Sequence, residues 1–276
     1  MSTAHQSTCV LCDQVPLKTP YKLALSLLAS GSKGNAIYIS DGETAILIDA
    51  GLSGIELERR LAARGIDKET LRAIVVTHEH VDHVRGVGVL SRRLHLPVYI
   101  NAQTYQAAGQ LGNLHQQHDF ACGTSFQIGG LRLHPFSIAH DAADPAGFTI
   151  TANGYKIGLA TDLGIATGMA KHHLKDCDLL IIEANHDPDM LIDGPYPWPV
   201  KQRIQSRIGH LSNQQSHDLL NELTHPRLKH VFLAHLSETN NHPKIAQKII
   251  SPALSGCASK CSVARQDEGS AVVILT

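Results

Sequence analysis

Seven consecutive residues hold most of the chemistry that can be read locally: Thr77-His78-Glu79-His80-Val81-Asp82-His83. Neutral imidazole nitrogens and carboxylates together suit a borderline divalent cation such as zinc or manganese. His78 and His80, two positions apart, point to the same side of an extended segment. Asp82 and His83 are adjacent and can face two neighbouring ions. The donor is abundant throughout the chain, with 18 His against 24 Lys plus Arg. The rival reading is a solvated loop that happens to carry histidine. It requires His78, His80, Asp82 and His83 to fall together by accident at the end of an apolar strand.

That strand, expected at residues 73–77, is one of several apolar runs bounded by Gly and Asp. Others lie at 23–29, 36–40 and 44–48, the last ending at Asp49-Ala50-Gly51. Residues 53–64 repeat apolar positions at Ile55, Leu57, Leu61 and Ala62, the helical period, and stop at Gly65. A helix is expected at 85–94, a strand at 98–100 and a helical stretch from Gln103. The second half repeats this order without repeating its sequence. Strands are expected at 126–128, 131–138, 147–152, 156–160, 179–183, 230–234 and 271–275, with helices at 212–223 and 243–250. Hairpins followed by strand-helix alternation predict mixed sheets packed on each other under helices, in one domain over residues 21–276. Residues 1–20 read as a polar tail. Its Cys9-Val10-Leu11-Cys12 spacing, with His5 and the distant Cys257 and Cys261, admits a structural zinc site. The plainer reading is a loose tail with free thiols.

Composition excludes several classes. The 276 residues are 43% hydrophobic and 18% charged with a net charge of −1, which excludes disorder and leaves ample chain for a core. No apolar run approaches the roughly 20 residues that span a bilayer. A balance near zero excludes attachment to nucleic acid by bulk positive charge but leaves a local basic patch open. Aromatic residues make up only 4%, so base-stacking platforms of Phe and Tyr are not expected. The run 23–29 after Lys22 lies too deep to serve as a secretory leader and continues into a further strand. With six Cys in a chain too long to need a disulfide framework, the expectation is a reduced, cytoplasmic protein. Homo-oligomerisation stays open.

The HxHxDH pattern after a strand, with an upstream strand ending in Asp49, resembles the metallo-β-lactamase superfamily. The resemblance implies an α/β fold, the four-layer αββα sandwich, with a metal site at the sheet edge. It also implies later ligands in the order His, bridging Asp, His. His140, Asp162 and His235 each follow an expected strand and fill those places. Further words are similar to the bacterial YycJ/WalJ-type branch: Gly31-Ser32-Lys33-Gly34-Asn35, the run 84–91, His140-Asp141-Ala142-Ala143-Asp144, Glu183-Ala184-Asn185-His186-Asp187, Gly194-Pro195-Tyr196-Pro197, Gly209-His210-Leu211-Ser212-Asn213 and His235-Leu236-Ser237. The likeness covers residues 23–243. It implies a metal-dependent exonuclease degrading DNA from 5′ to 3′, and DNA enters through this resemblance alone.

The implied roles are chemically coherent. Two divalent ions (zinc or manganese) bridged by a hydroxide supply a nucleophile at neutral pH and clamp a phosphate. His78, His80 and His140 are expected on one ion, Asp82, His83 and His235 on the other, and Asp162 between them. Asp82 can also orient the hydroxide, and Asp49 can accept from a ligand imidazole. His210, before a helix capped at Ser212 or Asn213, resembles the catalytic His of zinc ribonucleases of this fold. It suits proton donation to the leaving oxygen, with Glu183 to orient it and His186 as a further donor. Substrate contacts are expected from Ser32, Lys33 and Asn35 on their turn, and from Arg203 and Arg207 on one helical face. Arg85, Arg92 and Arg93 form a second basic group. His115, His118, His172, His173, His217, His225 and His242 read as surface residues. The main alternative is a small-substrate metallohydrolase: a cyclic phosphodiesterase, thioesterase or lactonase. A binding protein that has lost catalysis would show a missing ligand, and all seven ligand positions are filled.

Overall fold

The computed structural model describes residues 10–12, 22–109 and 111–276. Strands are numbered along the chain. β1 (Val10–Cys12), β2 (Leu23–Ala29), β3 (Ala36–Ser40), β4 (Ala45–Ile48), β5 (Leu71–Val75), β6 (Pro97–Tyr99) and β7 (Gln116–His118) belong to one sheet. β8 (Phe126–Ile128), β9 (Leu131–Ser137), β10 (Ala146–Ala152), β11 (Tyr155–Ala160), β12 (Leu179–Glu183), β13 (His230–Ala234) and β14 (Lys260–Val263) form the other. β15 (Val272–Leu275) returns to the first sheet between β1 and β2. The Cys9–Cys12 side chains lie outside the described residues.

Both sheets follow one succession. β2, β3 and β4 pair antiparallel, and β5, β6 and β7 then add in parallel. β9, β10 and β11 pair antiparallel, and β12, β13 and β14 add in parallel. The unbroken apolar runs in the sequence arise because these strands are buried on both faces. In β2, Leu23, Leu25 and Leu27 point into the layer between the sheets, while Ala24 and Leu28 face the outer helices. β12 behaves likewise, with Leu179 and Ile181 inward and Leu180 and Ile182 outward. The inner layer joins Ile46, Ile48 and Val75 to Phe148, Leu159 and Phe232. Each such side chain contributes about 1.5–3 kcal/mol over an exposed one.

Helices complete the four layers. α1 (Gly54–Ala62), α2 (Val81–Val84), α3 (Val87–Leu94) and α4 (Ala102–Ala107) arise from the first half. Leu57 and Leu61 of α1 and Val87 and Leu90 of α3 pack on the first sheet. α5 (Gly168–Leu174), α6 (Pro188–Asp193), α7 (Trp198–Ile204), α8 (Asn213–Leu223) and α9 (Pro243–Ile250) belong to the second half. There Leu174, Leu219, Leu223 and Ile250 cover the second sheet. The helix expected at 85–94 is α3 and starts two residues later, because the N–H of Gly86 donates to the Ala50 carbonyl at 2.7 Å and separates α3 from α2. β7, β14 and the short helices α5 and α6 were not expected from sequence, and α7 was expected only as the helical face of Arg203 and Arg207. Among the described residues no helix is long and apolar enough to cross a membrane.

Candidate metal centre

Parallel pairing brings the carboxyl ends of β4, β5, β11, β12 and β13 to one edge of the sandwich, where ligands gather in open α/β sheets. Asp49 follows β4, Thr77 and His78 follow β5, Asp162 follows β11, Glu183 ends β12, and His235 follows β13. Asp49, Asp162 and His235 have left-handed backbones, with φ of 60°, 56° and 55°. That conformation is uncommon outside glycine and tolerated best by Asp, Asn and His. It turns each chain sharply at its strand end.

The residues expected as ligands converge in two triads. Donor atoms of His78, His80 and His140 lie within 4.8 Å of one another, as do those of Asp82, His83 and His235. Asp162 reaches both, with Oδ1 3.9 Å from His140 Nε2 and Oδ2 3.4 Å from His83 Nε2.

The surrounding hydrogen bonds fix which ring nitrogens carry lone pairs. Thr77 Oγ1 donates to the Asp49 carboxylate at 2.8 Å, so the His78 Nδ1–H at 3.0 Å donates to Thr77, leaving Nε2 bare. His83 donates from Nδ1 to Asp49 at 2.7 Å, and His140 from Nδ1 to the Gly209 carbonyl at 3.3 Å. His235 and His210 both donate from Nδ1 to Glu183 Oε1, at 2.9 and 2.8 Å. Glu183 Oε2 accepts from the Leu163 and Leu211 amides, so this carboxylate is filled by hydrogen bonds. It orients rather than ligates. His78 Nε2 and His140 Nε2 instead face His80 Nδ1 at 3.1 and 3.3 Å.

With no metal bound, electrostatics sort the rings into neutral and protonated ones. Burial pushes the His78 pKa well down, so the ring is neutral and the lone pairs crowd together. Burial also opposes charge on His83, but the carboxylates of Asp162 and Asp49 override it and hold its pKa at about 10. Asp82 is held well below the carboxylate range, because His235 and His83 outweigh its burial. Asp162 Oδ2 and His235 Nε2 are buried without a hydrogen-bond partner among the described residues. The orphaned Asp162 oxygen and the crowded nitrogens of His78, His80 and His140 are costly unless a cation satisfies them, and that cation replaces the protons that the carboxylates otherwise hold on His83 and His235. The donor set therefore fits divalent metal ions.

Other expected site residues fall into different places. Ser32, Arg203 and His210 line a cavity of about 280 Å³ together with His80, Asp82 and Asp162. Asn35 is buried behind it, donating to Asp82 Oδ2 at 3.1 Å and to His83 Nε2 at 3.0 Å. His186 is likewise buried, bridged to Ser212, and does not line the cavity. Arg203 and Arg207 do not share a helical face: α7 ends at Ile204, and Arg207 belongs to the following turn. Two of the second basic group are engaged elsewhere, Arg92 donating to the carbonyls of Leu111 and Asn113 and Arg93 paired with Glu58. Lys33 pairs with Glu238.

Some contributors escaped the sequence reading. Thr77 links Asp49 to His78, and Glu79 turns away from the ligands to accept from the Ala143 amide at 2.7 Å. Asp141 sets one oxygen against Arg203 and the other 3.4 Å from His140 Nε2. Tyr196 and Val200 line the cavity opposite the ligands. Only adjacency to recognised words pointed to these residues.

A β-lactamase superfamily domain matches residues 44–235. The chain belongs to this superfamily, and its two mixed sheets with flanking helices form the metallo-β-lactamase sandwich. Within it the chain sits in the YycJ/WalJ branch. It is 38% identical over 235 residues to the exodeoxyribonuclease YycJ of Bacillus anthracis, covering 84% of this chain and 89% of the relative. It is also 38% identical over 226 residues to the exodeoxyribonuclease WalJ of Streptococcus pneumoniae serotype 2, covering 80% and 84%. Among solved structures, the metallo-β-lactamase fold protein YhfI from Bacillus subtilis superposes with a TM-score of 0.70 at 17% identity, covering 90% of this chain and 98% of that one.

Proposed function

We propose that this chain is a metal-dependent phosphodiester hydrolase that degrades DNA exonucleolytically from the 5′ end. The observation that carries the reading is the pair of ligand triads joined by Asp162, opening beside a His210 that Glu183 holds by Nδ1. The exodeoxyribonuclease names of the two relatives support DNA as substrate.

His78, His80 and His140 would hold one ion and Asp82, His83 and His235 a second, with Asp162 between them. Such ions, zinc or manganese, supply Lewis-acid charge on the phosphate and a nucleophile at neutral pH. Ser32 and Arg203 at the cavity wall hold phosphate oxygens and fix the diester's orientation. Asp82 accepts a hydrogen bond from the attacking water. His210 keeps Nδ1–H on Glu183 and gives a proton from Nε2 to the leaving oxygen, which is the half of the reaction that a poor alkoxide leaving group demands. Asp49 and Asn35 fix His83 and Asp82 from behind.

The test is the purified protein with zinc or manganese on 5′-phosphorylated DNA labelled at either end, beside a small phosphodiester. Mononucleotides released progressively from the 5′ end, and lost in Asp162→Ala and His210→Ala, are the expected result. Cleavage of the small diester with DNA left intact would overturn it in favour of a small-substrate metallohydrolase.

A further inference from the structure

One wall of the 280 Å³ cavity comes from the segment Gly194-Pro195-Tyr196-Pro197-Trp198-Pro199-Val200, through two of its residues. Tyr196 and Val200 line the cavity itself, and Trp198 between them is 57% exposed. An indole left in water carries an unfavourable apolar surface that ordinary folding would cover. The segment is held firmly. Three prolines fix φ at alternate positions, the buried Lys201 donates from Nζ to the Ile192 carbonyl, and the Lys201 amide donates to Pro197. Ile192 in α6 and Ile208 in the turn after α7 are also exposed.

We infer that Tyr196 and Trp198 form a ledge on which unpaired nucleobases next to the scissile phosphate stack. The inference rests on the nuclease reading and names the part of the substrate, beyond the phosphate, that the enzyme grips. A diester seated among His80, Asp82, Asp162 and His210 carries its flanking nucleoside to the cavity mouth, where the ledge stands. Aromatic and proline faces hold a base by its π surface and read little of its edges, so the grip is tolerant of sequence, as processive digestion requires. A rigid ledge also loses little freedom on binding. The larger neighbouring cavity, about 460 Å³ beyond Ser237, sets Glu238, Asp267 and Glu268 against Arg265 alone, a lining without the excess positive charge that a nucleic-acid backbone needs. The overall aromatic content of 4% argued against stacking platforms of Phe and Tyr. The ledge needs only one Tyr and the chain's single Trp, placed at the mouth.

That single Trp makes the test direct, because all tryptophan emission comes from Trp198. The metal-loaded protein is titrated with single-stranded oligodeoxythymidylate carrying uncleavable phosphorothioate linkages, and with the same backbone lacking bases. Anisotropy of an end label reports binding independently. Emission should change with the base-bearing strand and stay constant with the abasic one. Trp198→Ala should weaken binding of the base-bearing strand about tenfold and leave abasic binding unchanged, with Trp198→Phe restoring most of the loss. Binding seen by anisotropy without an emission change, or equal weakening of both strands in Trp198→Ala, overturns the ledge. So does emission that varies with protein concentration alone, which would show the face covered by a second copy. DNA digestion run in parallel separates the two readings: nucleotides released while Trp198 stays silent remove the ledge and keep the nuclease, whereas base-dependent quenching without digestion does the reverse.

Discussion

His210 and His235 share one carboxylate oxygen of Glu183, and the charge and hydrogen bond of that carboxylate raise the His210 pKa although burial opposes it. An acid with a raised pKa stays protonated above the ordinary histidine range. The kcat/KM of DNA digestion should therefore fall only as pH rises past about 6.5. Glu183→Gln removes the charge, so this alkaline limb should move to lower pH. In His210→Ala it should vanish, with a rate loss of roughly 100- to 10,000-fold. A limb unmoved by Glu183→Gln would assign the titration to another group. Asp49 acts one step further back, through Nδ1 of His83 and the Thr77 hydroxyl. Asp49→Asn should weaken metal affinity about 10- to 100-fold, read by competition with a chromogenic chelator.

The loop after β4 and the metal loop meet with no space between them. A Cβ on Gly51 would lie 1.6 Å from the Asp82 carbonyl oxygen, the atom that accepts from the Asn35 amide. Gly51→Ala should push the Asp82 backbone aside, costing about 1–3 kcal/mol from overpacking and lowering metal content as well as Tm. Elemental analysis beside a thermal melt would separate this from simple destabilisation, since a normal metal content would show Asp82 undisturbed. Legibility followed the range of the interactions. β8, β12, β13 and α9 fall where their apolar period and punctuation put them, and His78 to His83 were readable because their spacing is local. His140, Asp162 and His235 needed the resemblance, since nothing nearby marks them apart from a strand end. Glu79 lies within the donor run without being one of its expected ligands, and its partner is the amide of Ala143, far along the chain. α6 begins at Pro188 and α7 is capped by Pro197, and both are too brief to show a period, so Arg203 and Arg207 were given a shared face that the helix end at Ile204 denies them.

Across the whole molecule the most deeply buried of the shifted histidines fall into two opposed sets. Burial depresses His78, His140, His186 and His230, the last two to about 4. Carboxylates overcome burial to raise His83, to about 10, with His210 and His235. As pH falls from about 6.5 towards 4, the unfolded chain takes up protons that the first set refuses, and stability is lost. As pH climbs above about 6.5, the unfolded chain releases protons that the second set keeps, and stability is lost again. The chelated protein should therefore show its highest Tm near pH 6.5. Added metal displaces the ligand protons and should flatten the alkaline fall, which melts with and without chelator would show. A chelated protein growing steadily more stable up to pH 9 would contradict this. The two sheets share one succession of pairings, yet each brings only part of the donor set: His78, His80, Asp82 and His83 from the first, His140, Asp162 and His235 from the second. Bound ions would thus act as rivets between halves that are otherwise glued by their apolar layer. A polypeptide severed in the turn between β7 and β8 would leave two fragments, each short of the full donor set for either ion, whose reunion the ion would reward.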